Sequence, residues 1–323
     1  MNTFGNLFCI NIFGESHGAV IGVTIDGCPP GVLLNEEDML PDLERRKAGA
    51  AGTTPRKEED APNIVSGIFN GTTTGAPITV LFENKNTKSA DYEALRKTPR
   101  PGHADWVLDK KFKGYNDYRG GGHSSGRLTL ALVAAGVVAK KILSGIKVTA
   151  ILTEAGGSTN VDAAIAQAIE EQDSIGGIVT CNVLGLPVGI GEPFFDSVES
   201  VISHIIFAIP AIKGIEFGSG FAATHMKGSI HNDAIIDAEG TTKSNHAGGI
   251  NGGITNGNEL YFRVAVKPTS STPREQQTWN TEEQAVTSFT VKGRHDLCIA
   301  LRVPVVVEAA TAIALADLMM RTK

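Results

Sequence analysis

The stretch richest in chemically active residues is DYRGGGHSSGR at 117–127, which directly precedes a predicted apolar helix. Free N–H groups at a helix amino terminus bind anions, and arginine adds paired donors that suit phosphate or carboxylate. We therefore interpret this segment as an anion-binding site. The alternative is a flexible surface turn with solvated charges, which describes most glycine-rich loops.

A second glycine-rich loop, NHAGGINGGITNG at 245–257, precedes a predicted strand that runs into Lys267–Thr272. A lysine, hydroxyl groups and free backbone donors after a strand suit a phosphate-bearing cofactor. A tight connection between strands is the alternative interpretation of the loop taken alone.

Two histidines stand in loops of small residues, His17 in GESHG and His103 in RPGHAD. Histidine exchanges a proton near neutral pH and is the default general acid, although a single loop histidine is more often a hydrogen-bonding residue. A third cluster, KGRHDLC at 292–298, places Arg294 and Asp296 on one side if the chain is extended there. A surface ion pair worth about 0–1 kcal/mol is its alternative.

Several common catalytic motifs are missing from the sequence. It has no G-x-G-x-x-G dinucleotide fingerprint, and the glycines at 121–126 lack the Lys-Ser/Thr of a phosphate-binding Walker loop. Neither H-E-x-x-H nor a nucleophile elbow occurs, and the four cysteines form no C-x-x-C pair. We predict buried free thiols and no metal site.

Composition sets the class of protein. The 323 residues are 41% hydrophobic and carry a net charge of −6, which excludes a disordered chain and argues against a non-specific nucleic-acid binder. Glycine is in excess, with 37 residues against about 23 expected.

The longest apolar run, Leu128 to Ala139, is too short to span a membrane, and no signal peptide is visible. We expect a cytoplasmic protein that binds neither nucleic acid nor membrane.

Hydrophobic periodicity predicts an α+β fold in a single domain, 1–323. The predicted strands are Leu7–Phe13, Val20–Ile25, Ile64–Phe69, Ile78–Phe82, Ile146–Leu152, Ile178–Leu184, Phe221–Met226, Leu260–Val266 and Val286–Lys292. The predicted helices run from Asn35 to Arg46, Leu128–Leu143, Val161–Glu171, from a capping box at 196–199 to Ile209, and Glu308–Met320. A long polar segment at 84–125 is interpreted as a functional loop. The similarity of 21–31 to 178–189 suggests a duplicated strand–turn–helix unit, with chance as the alternative.

Taken together, these segments resemble the chorismate synthase family over nearly the whole chain. The matching motifs, in order, are FGESHG at 13–18, DGCPPG at 26–31, Arg45-Arg46, RPGHAD at 100–105, DYRGGGHSSGR at 117–127, SNHAGGINGGITNG at 244–257, KPTSST at 267–272 and KGRHDLC at 292–298. Any one motif is weak, whereas eight in order make accidental similarity implausible.

The resemblance implies a lyase that removes phosphate and a ring hydrogen from 5-enolpyruvylshikimate 3-phosphate in a 1,4-anti-elimination. The product is chorismate, at the last step of the shikimate pathway to aromatic amino acids. The family needs reduced FMN although the reaction is redox-neutral. The resemblance also implies a β-α-β sandwich, in which two sheets enclose a helical layer, and a homotetramer. Whether the chain reduces its flavin with NADPH or depends on an external flavin reductase stays open, and the lack of an appended reductase domain favours external supply.

The resemblance assigns roles residue by residue. In the family picture His17 protonates the departing phosphate or holds its charge, and His103 is associated with protonation of the reduced flavin. Asp296 and Ser125 match an acid and a hydroxyl near flavin N5. The substrate cations are Arg46, Arg100, Arg127 and Arg294. The implied FMN site comprises His123, Ser124, Ser125, Ala211, Gly252, Lys267, Pro268, Thr269, Ser270, Ser271 and Arg294.

The chain departs from the family pattern at three places. His123 stands where many members have arginine, and Pro210 precedes Ala211 where the family commonly has asparagine. A further arginine often follows the Arg45-Arg46 helix, whereas here the next one is Arg56. Two other functions are weighed against the family activity: a phosphotransferase that uses the glycine-rich loops, and a flavin or metabolite binder that has lost catalysis.

Overall fold

The computed structural model describes residues 1–54, 58–85, 92–291 and 295–322. The strands are β1 (Thr3–Phe4), β2 (Cys9–Gly14), β3 (Val20–Asp26), β4 (Asn63–Ser66), β5 (Ile68–Phe69), β6 (Thr72–Thr73), β7 (Ile78–Glu83), β8 (Lys147–Ala155), β9 (Gly177–Leu184), β10 (Ile212–Phe217), β11 (Ile250–Asn251), β12 (Ile254–Thr255), β13 (Leu260–Val266), β14 (Gln276–Asn280) and β15 (Ala285–Phe289). The α-helices are α1 (Leu40–Arg46), α2 (Glu93–Lys97), α3 (Asp105–Lys111), α4 (Thr129–Ile142), α5 (Val161–Glu171), α6 (Val198–Ile206), α7 (Gly228–His231) and α8 (Pro304–Arg321).

Two antiparallel sheets form the outer layers. One has the strand order β1-β2-β3-β7-β4 and the other the order β10-β13-β9-β8. In the first sheet Ile10 pairs with Ile25 and Val23 with Val80, so apolar side chains of neighbouring strands share the inner face. In β13 buried and half-buried residues alternate, as the period of a strand with one covered face requires.

Helices α4 and α8 fill the space between the sheets. Helix α4 packs on β3 and on α8, and α8 packs on β8 and β9. Residues 129–139 of α4 are all buried, which explains why that segment is apolar on every side instead of amphipathic. The two helices cross closely: a Cβ at Gly136 would lie 2.3 Å from the Cβ of Ala309. The predicted β-α-β sandwich is confirmed.

Buried carboxylates attach α8 to its surroundings. Glu308 accepts hydrogen bonds from Arg45, from Lys140 and from the N–H of Ala150. Burial alone would raise the pKa of Glu308, but these partners outweigh it and hold the pKa below its ordinary value. Asp317 accepts three consecutive backbone N–H groups, from residues 6–8. Both buried carboxylates therefore have hydrogen-bond partners, because an unpartnered charge in an apolar core would be unstable.

Some predicted elements are wrong. The predicted strand Phe221–Met226 is not a strand: Gly220–His225 forms a 3₁₀ turn, where the Glu216 carboxylate accepts the N–H of Phe221. The polar segment 84–125 contains the short helices α2 and α3 in its described part. The predicted strand Ile64–Phe69 is divided at Gly67, whose φ of 83° interrupts the extended chain between β4 and β5. None of the described helices has the length and apolarity of a membrane span.

Candidate active site

Two adjoining cavities lie where the glycine-rich segment meets the helical layer. The larger, of about 670 Å³, is called here the large cleft, and its lining includes Gly102–Ala104, His123–Gly126, Ile209–Lys213 and Lys267–Ser271. The smaller, of about 240 Å³, is called the basic chamber, and its lining includes Arg46, Lys47, Arg100, Arg127, Asp296 and Arg302. The two share a wall composed of Gly120, Ser125, Gly126, Thr129, Ile209, Pro210, Thr269 and Ile299. Ligands in the two cavities would therefore lie against opposite sides of the same residues.

The large cleft combines apolar walls with a cationic, hydroxyl-rich rim. Lys267 Nζ donates to Ser270 Oγ at 2.6 Å and to the carbonyl of Gly102 at 3.2 Å. Lys213 lines the same cleft. Burial and then the charge of Lys213 lower the pKa of Lys267, so an anion placed beside both lysines would be stabilised.

Two arginines, the buried Arg46 and the partly buried Arg127, share one carboxylate in the basic chamber. Asp60 lies 3.2 Å from Arg46 Nη1 through one oxygen and 2.9 Å from Arg127 Nη1 through the other. Arg127 also pairs with Glu58. Burial, and then the charge of Arg302, lower the pKa of Arg46 to about 10, which leaves it a cation at neutral pH. The chamber therefore holds several fixed positive charges, which a polyanionic substrate needs.

His103 is oriented by a buried ion pair. Its Nδ1 lies 2.7 Å from Asp105 Oδ1, and Arg100 bonds the same carboxylate at 2.8 and 2.9 Å. Arg100 Nη2, which only donates, lies 3.1 Å from the same Nδ1, but the carboxylate contact is shorter and Arg100 also donates to Asp105, so we assign the Nδ1 proton to Asp105. Nε2 is then the remaining ring nitrogen. A Cβ at Gly121 would lie 3.5 Å from that Nε2. Arg100 also donates to Ser271 Oγ and so connects this pair to the rim of the large cleft.

His17 lies buried on the other side of the same glycine run. A Cβ at Gly120 would lie 2.9 Å from His17 Nε2 and 2.7 Å from Ser16 Oγ. The ring packs edge-on against Tyr92, with the ring centroids 4.9 Å apart. The neighbouring Ser16 donates its N–H to the carbonyl of Gly122. Glycines 120 and 121 thus separate the two predicted proton-transfer histidines.

Asp296 lies at the far side of the basic chamber. One of its oxygens accepts the N–H of Thr54 at 2.8 Å, and the other lies 3.2 Å from Arg302 Nη1. Arg302 in turn donates to the carbonyl of Arg46. The acid is therefore placed beside the substrate cations by contacts from two different segments.

Most of the predicted site residues meet at the two cavities. His123, Ser124, Ser125, Ala211 and Lys267–Ser271 line the large cleft with His103, and Arg46, Arg100, Arg127 and Asp296 line the basic chamber. Gly252 lies at the turn between β11 and β12 and lines neither cavity. His17 also lines neither cavity and lies behind Gly120 of their shared wall. Arg294 and Arg56 lie outside the described residues.

The sequence did not identify several residues that shape the site. They are Asp60, Asn84, Asp105, Lys213 and Arg302. Asp105 had a local signal, because it follows His103 by two residues within RPGHAD. No sequence motif indicates Asn84 or Arg302, since only the tertiary fold brings them to the site.

Replacement of Asp105 by asparagine is expected to destabilise the protein by roughly 3 kcal/mol at pH 7, because Arg100 loses its buried counter-charge. Burial alone would raise the pKa of Asp105, but hydrogen bonds from Arg100 and His103 hold it well below its ordinary value. The ionised Asp105 carboxylate therefore stabilises the fold fully above about pH 4, and this stabilisation is lost as the pH falls further. Urea unfolding measures the free energy of unfolding of the parent protein and of Asp105→Asn at pH 7 and near pH 3. The difference between the two proteins should be smaller at the lower pH.

Asp109→Asn is the matched control for this prediction, because Asp109 lies on the same helix in a surface pair with Lys110. It should change the free energy of unfolding by less than about 0.5 kcal/mol. Equal losses in the two variants would show that the buried pair adds nothing beyond a surface charge.

The chain was compared with known proteins. The family model for chorismate synthase matches residues 8–320. The chain is 68% identical over 321 residues to a chorismate synthase of Chitinophaga pinensis, covering 99% of this chain and 97% of that one. It is 47% identical to a chorismate synthase of Dehalococcoides mccartyi, with the same coverage. A crystal structure of chorismate synthase matches with a TM-score of 0.76 at 25% identity, covering 98% of this chain and 93% of that chain.

Proposed function

The chain belongs to the chorismate synthase family, and we propose that the large cleft and the basic chamber form the site at which it converts 5-enolpyruvylshikimate 3-phosphate to chorismate. The observation that carries the proposal is the convergence of three substrate arginines, Arg46, Arg100 and Arg127, on a chamber that shares a wall with the large cleft. The reaction is a carbon–oxygen lyase step in aromatic amino acid biosynthesis.

The basic chamber matches the charge of this substrate. Two carboxylates and a phosphate carry roughly three to four negative charges near neutral pH. Arg46 is buried, Arg127 is partly buried, and both pair with Asp60, so the cations are held in place without substrate. The substrate anion would lie against side chains that are already ordered, which limits the entropy lost on binding.

The large cleft fits FMN by the chemistry of its lining. A planar ring system suits the apolar walls, and the phosphate suits Lys267, Lys213 and the hydroxyls of Ser270 and Ser271. His123, Ser124, Ser125, Ala211, Pro268 and Thr269 would complete the site. When bound, reduced FMN supplies the electron density that allows the phosphate to leave and takes up the ring hydrogen.

The proton-handling groups divide between the two sides of the shared wall. We assign His17 to the departing phosphate, whose charge it would neutralise by giving or sharing a proton. His103, with Nδ1 held by Asp105, presents Nε2 towards the glycine run beside Ser125 and would deliver or hold a proton there. Asp296 would hold or pass on a proton near flavin N5, the role that the family resemblance implies for it. The three groups therefore lie at different places: His103 at the large cleft, Asp296 at the basic chamber, and His17 beside Gly120.

The direct test measures anaerobic phosphate release from 5-enolpyruvylshikimate 3-phosphate with dithionite-reduced FMN, against an oxidised-FMN control. We expect release with reduced flavin alone. Binding of FMN without release would point to a flavin binder without this activity. Metal-dependent nucleotide turnover in place of release would point to a phosphotransferase.

Arg127→Ala is expected to raise the substrate dissociation constant by about 30-fold or more, equivalent to roughly 2 kcal/mol. The change removes one cation and leaves Asp60 and Glu58 without it, so two carboxylates would repel the substrate. The remaining binding should also be less sensitive to salt. Calorimetric titration of the FMN-loaded protein at two ionic strengths provides the measurement.

Arg274→Ala is the control for this arginine. Arg274 is exposed, lines neither cavity, and pairs with Asp173 on the surface. Its loss should leave affinity and salt dependence unchanged. If Arg127→Ala binds substrate as tightly as the parent protein, Arg127 is not part of the substrate site.

The same proposal extends to assembly and flavin supply. We propose a cytoplasmic homotetramer that receives its reduced flavin from an external reductase, with NADPH as the indirect source of electrons. Large exposed aromatic side chains support the assembly, because such groups are usually buried against another subunit; they include Phe194, Phe195 and Phe221.

A further inference from the structure

Asn84, directly after β7, bridges two parts of the site through a single side-chain amide. Its Oδ1 accepts Nε–H of Arg127 at 2.8 Å. Its Nδ2 donates to the carbonyl of Gly18 at 2.9 Å and to that of Glu15 at 3.2 Å. The backbone N–H of Asn84 also donates to the carbonyl of Ala19. One residue therefore contacts a substrate arginine and both ends of the loop that carries His17.

These partners permit one orientation of the amide. An arginine N–H only donates, and a backbone carbonyl only accepts. The oxygen must then face Arg127, and the NH₂ group must face the loop, where both of its hydrogens have acceptors. If the amide were rotated by 180°, its NH₂ group would face the Arg127 N–H and its oxygen would face the two backbone carbonyls. The arrangement is directional and cannot be reproduced by a carboxylate or an aliphatic side chain.

The role inferred from these contacts rests on the proposed function above. We propose that Asn84 is a positioning residue, which fixes the distance between the His17 loop and Arg127. The proton donor for the leaving phosphate and a cation that holds the substrate would then keep one relative placement. A displacement of about 1 Å at such a site can lower the rate about 100-fold.

Asn84→Asp separates the two contacts of the amide. The carboxylate can still accept from Arg127, but it places oxygen against the carbonyls of Glu15 and Gly18 and expels the loop. We expect kcat to fall by about 10-fold to 100-fold. The substrate dissociation constant, measured on the FMN-loaded protein, should rise by less than in Arg127→Ala, because Arg127 itself is kept although the new carboxylate offsets part of its charge. Asn84→Ala removes both contacts, so it should lower kcat and also weaken substrate binding.

Asn258→Asp is the matched control. Asn258 also donates to one carbonyl, that of Gly240, and accepts one backbone N–H, that of Thr242, and it lines neither cavity. The same chemical change there should leave kcat and substrate affinity as in the parent protein. All rates are divided by the folded fraction measured by circular dichroism at the assay temperature.

The outcomes are distinct. A fall in kcat in Asn84→Asp, with a smaller loss of affinity than in Arg127→Ala and neither change in Asn258→Asp, supports the positioning role. Unchanged kcat in a folded Asn84→Asp overturns it, as does a loss of affinity alone. If Asn84→Asp does not fold, unchanged kcat in Asn84→Ala overturns it instead. A parent protein that releases no phosphate overturns the proposed function together with this inference, whereas an active parent beside an equally active variant overturns only the inference.

Discussion

His17→Ala is expected to lower turnover by about 100-fold or more while leaving FMN affinity nearly unchanged, since general acid catalysis contributes about that much. His17 is buried, packs against Tyr92 and lies beside Gly120, which places it at the wall that the two cavities share. It lines neither the large cleft, in which FMN is proposed to bind, nor the basic chamber, and it would reach the substrate past Gly120. Single-turnover phosphate release and FMN titration, both anaerobic, measure the two quantities separately.

The control for this variant is His231→Ala. His231 stacks on His246 in a segment that lines neither cavity, so its loss should affect neither rate nor flavin affinity. If His17→Ala turns over at the parental rate, His17 has no part in the proton transfer. If it loses flavin in proportion to turnover, its role is to shape the cofactor site.

The sequence predicted the elements whose patterns are local. Helix α5 and strand β13 have the predicted bounds, since each alternates apolar and polar residues with the period of its own geometry. Pro41 did not break α1, because it occupies the first turn of the helix, where no N–H is required. The helices α2 and α3 were missed in the polar segment 84–125, because both are too short to show a period.

The site was predictable to the extent that its residues lie in distinctive motifs. Ser125, His103 and Lys267 come from three such motifs and line one cleft. The carboxylates and amides that hold the functional groups were not predictable, because a residue such as Asp60 or Asn84 has its role only through partners distant in sequence. Motifs indicate the groups that contact ligands, whereas the fold determines which side chains orient them.

The structure explains why three glycines follow one another at residues 120–122, which the sequence alone did not explain. Residues 120–122 all have positive φ, from 54° to 83°, so the chain turns in a region that glycine adopts without strain. The lack of side chains also leaves room for His17 on one side and His103 on the other. The run was interpreted as an anion site, and it serves in addition as a spacer between two histidines.

Gly120→Ala is therefore expected to lower turnover by about 10-fold to 100-fold while costing only about 1–2 kcal/mol of stability. The added Cβ would lie 2.7–2.9 Å from Ser16 Oγ and from the His17 ring, which is closer than such atoms approach. Because the obstructing atoms belong to side chains and not to the backbone, the ring would rotate away and the fold would persist. Steady-state turnover and urea unfolding measure the two effects.

Gly71→Ala separates backbone strain from displacement of the histidine. Gly71 has φ 72°, near the 60° of Gly120, but a Cβ there has no neighbour within 4 Å. Both variants should lose similar stability, because the strain of a left-handed alanine is common to them. Only Gly120→Ala should lose activity, since only its methyl group displaces His17. Equal turnover in the two variants would mean that the reaction tolerates a displaced His17, and the assignment of that histidine to the leaving phosphate would then be wrong.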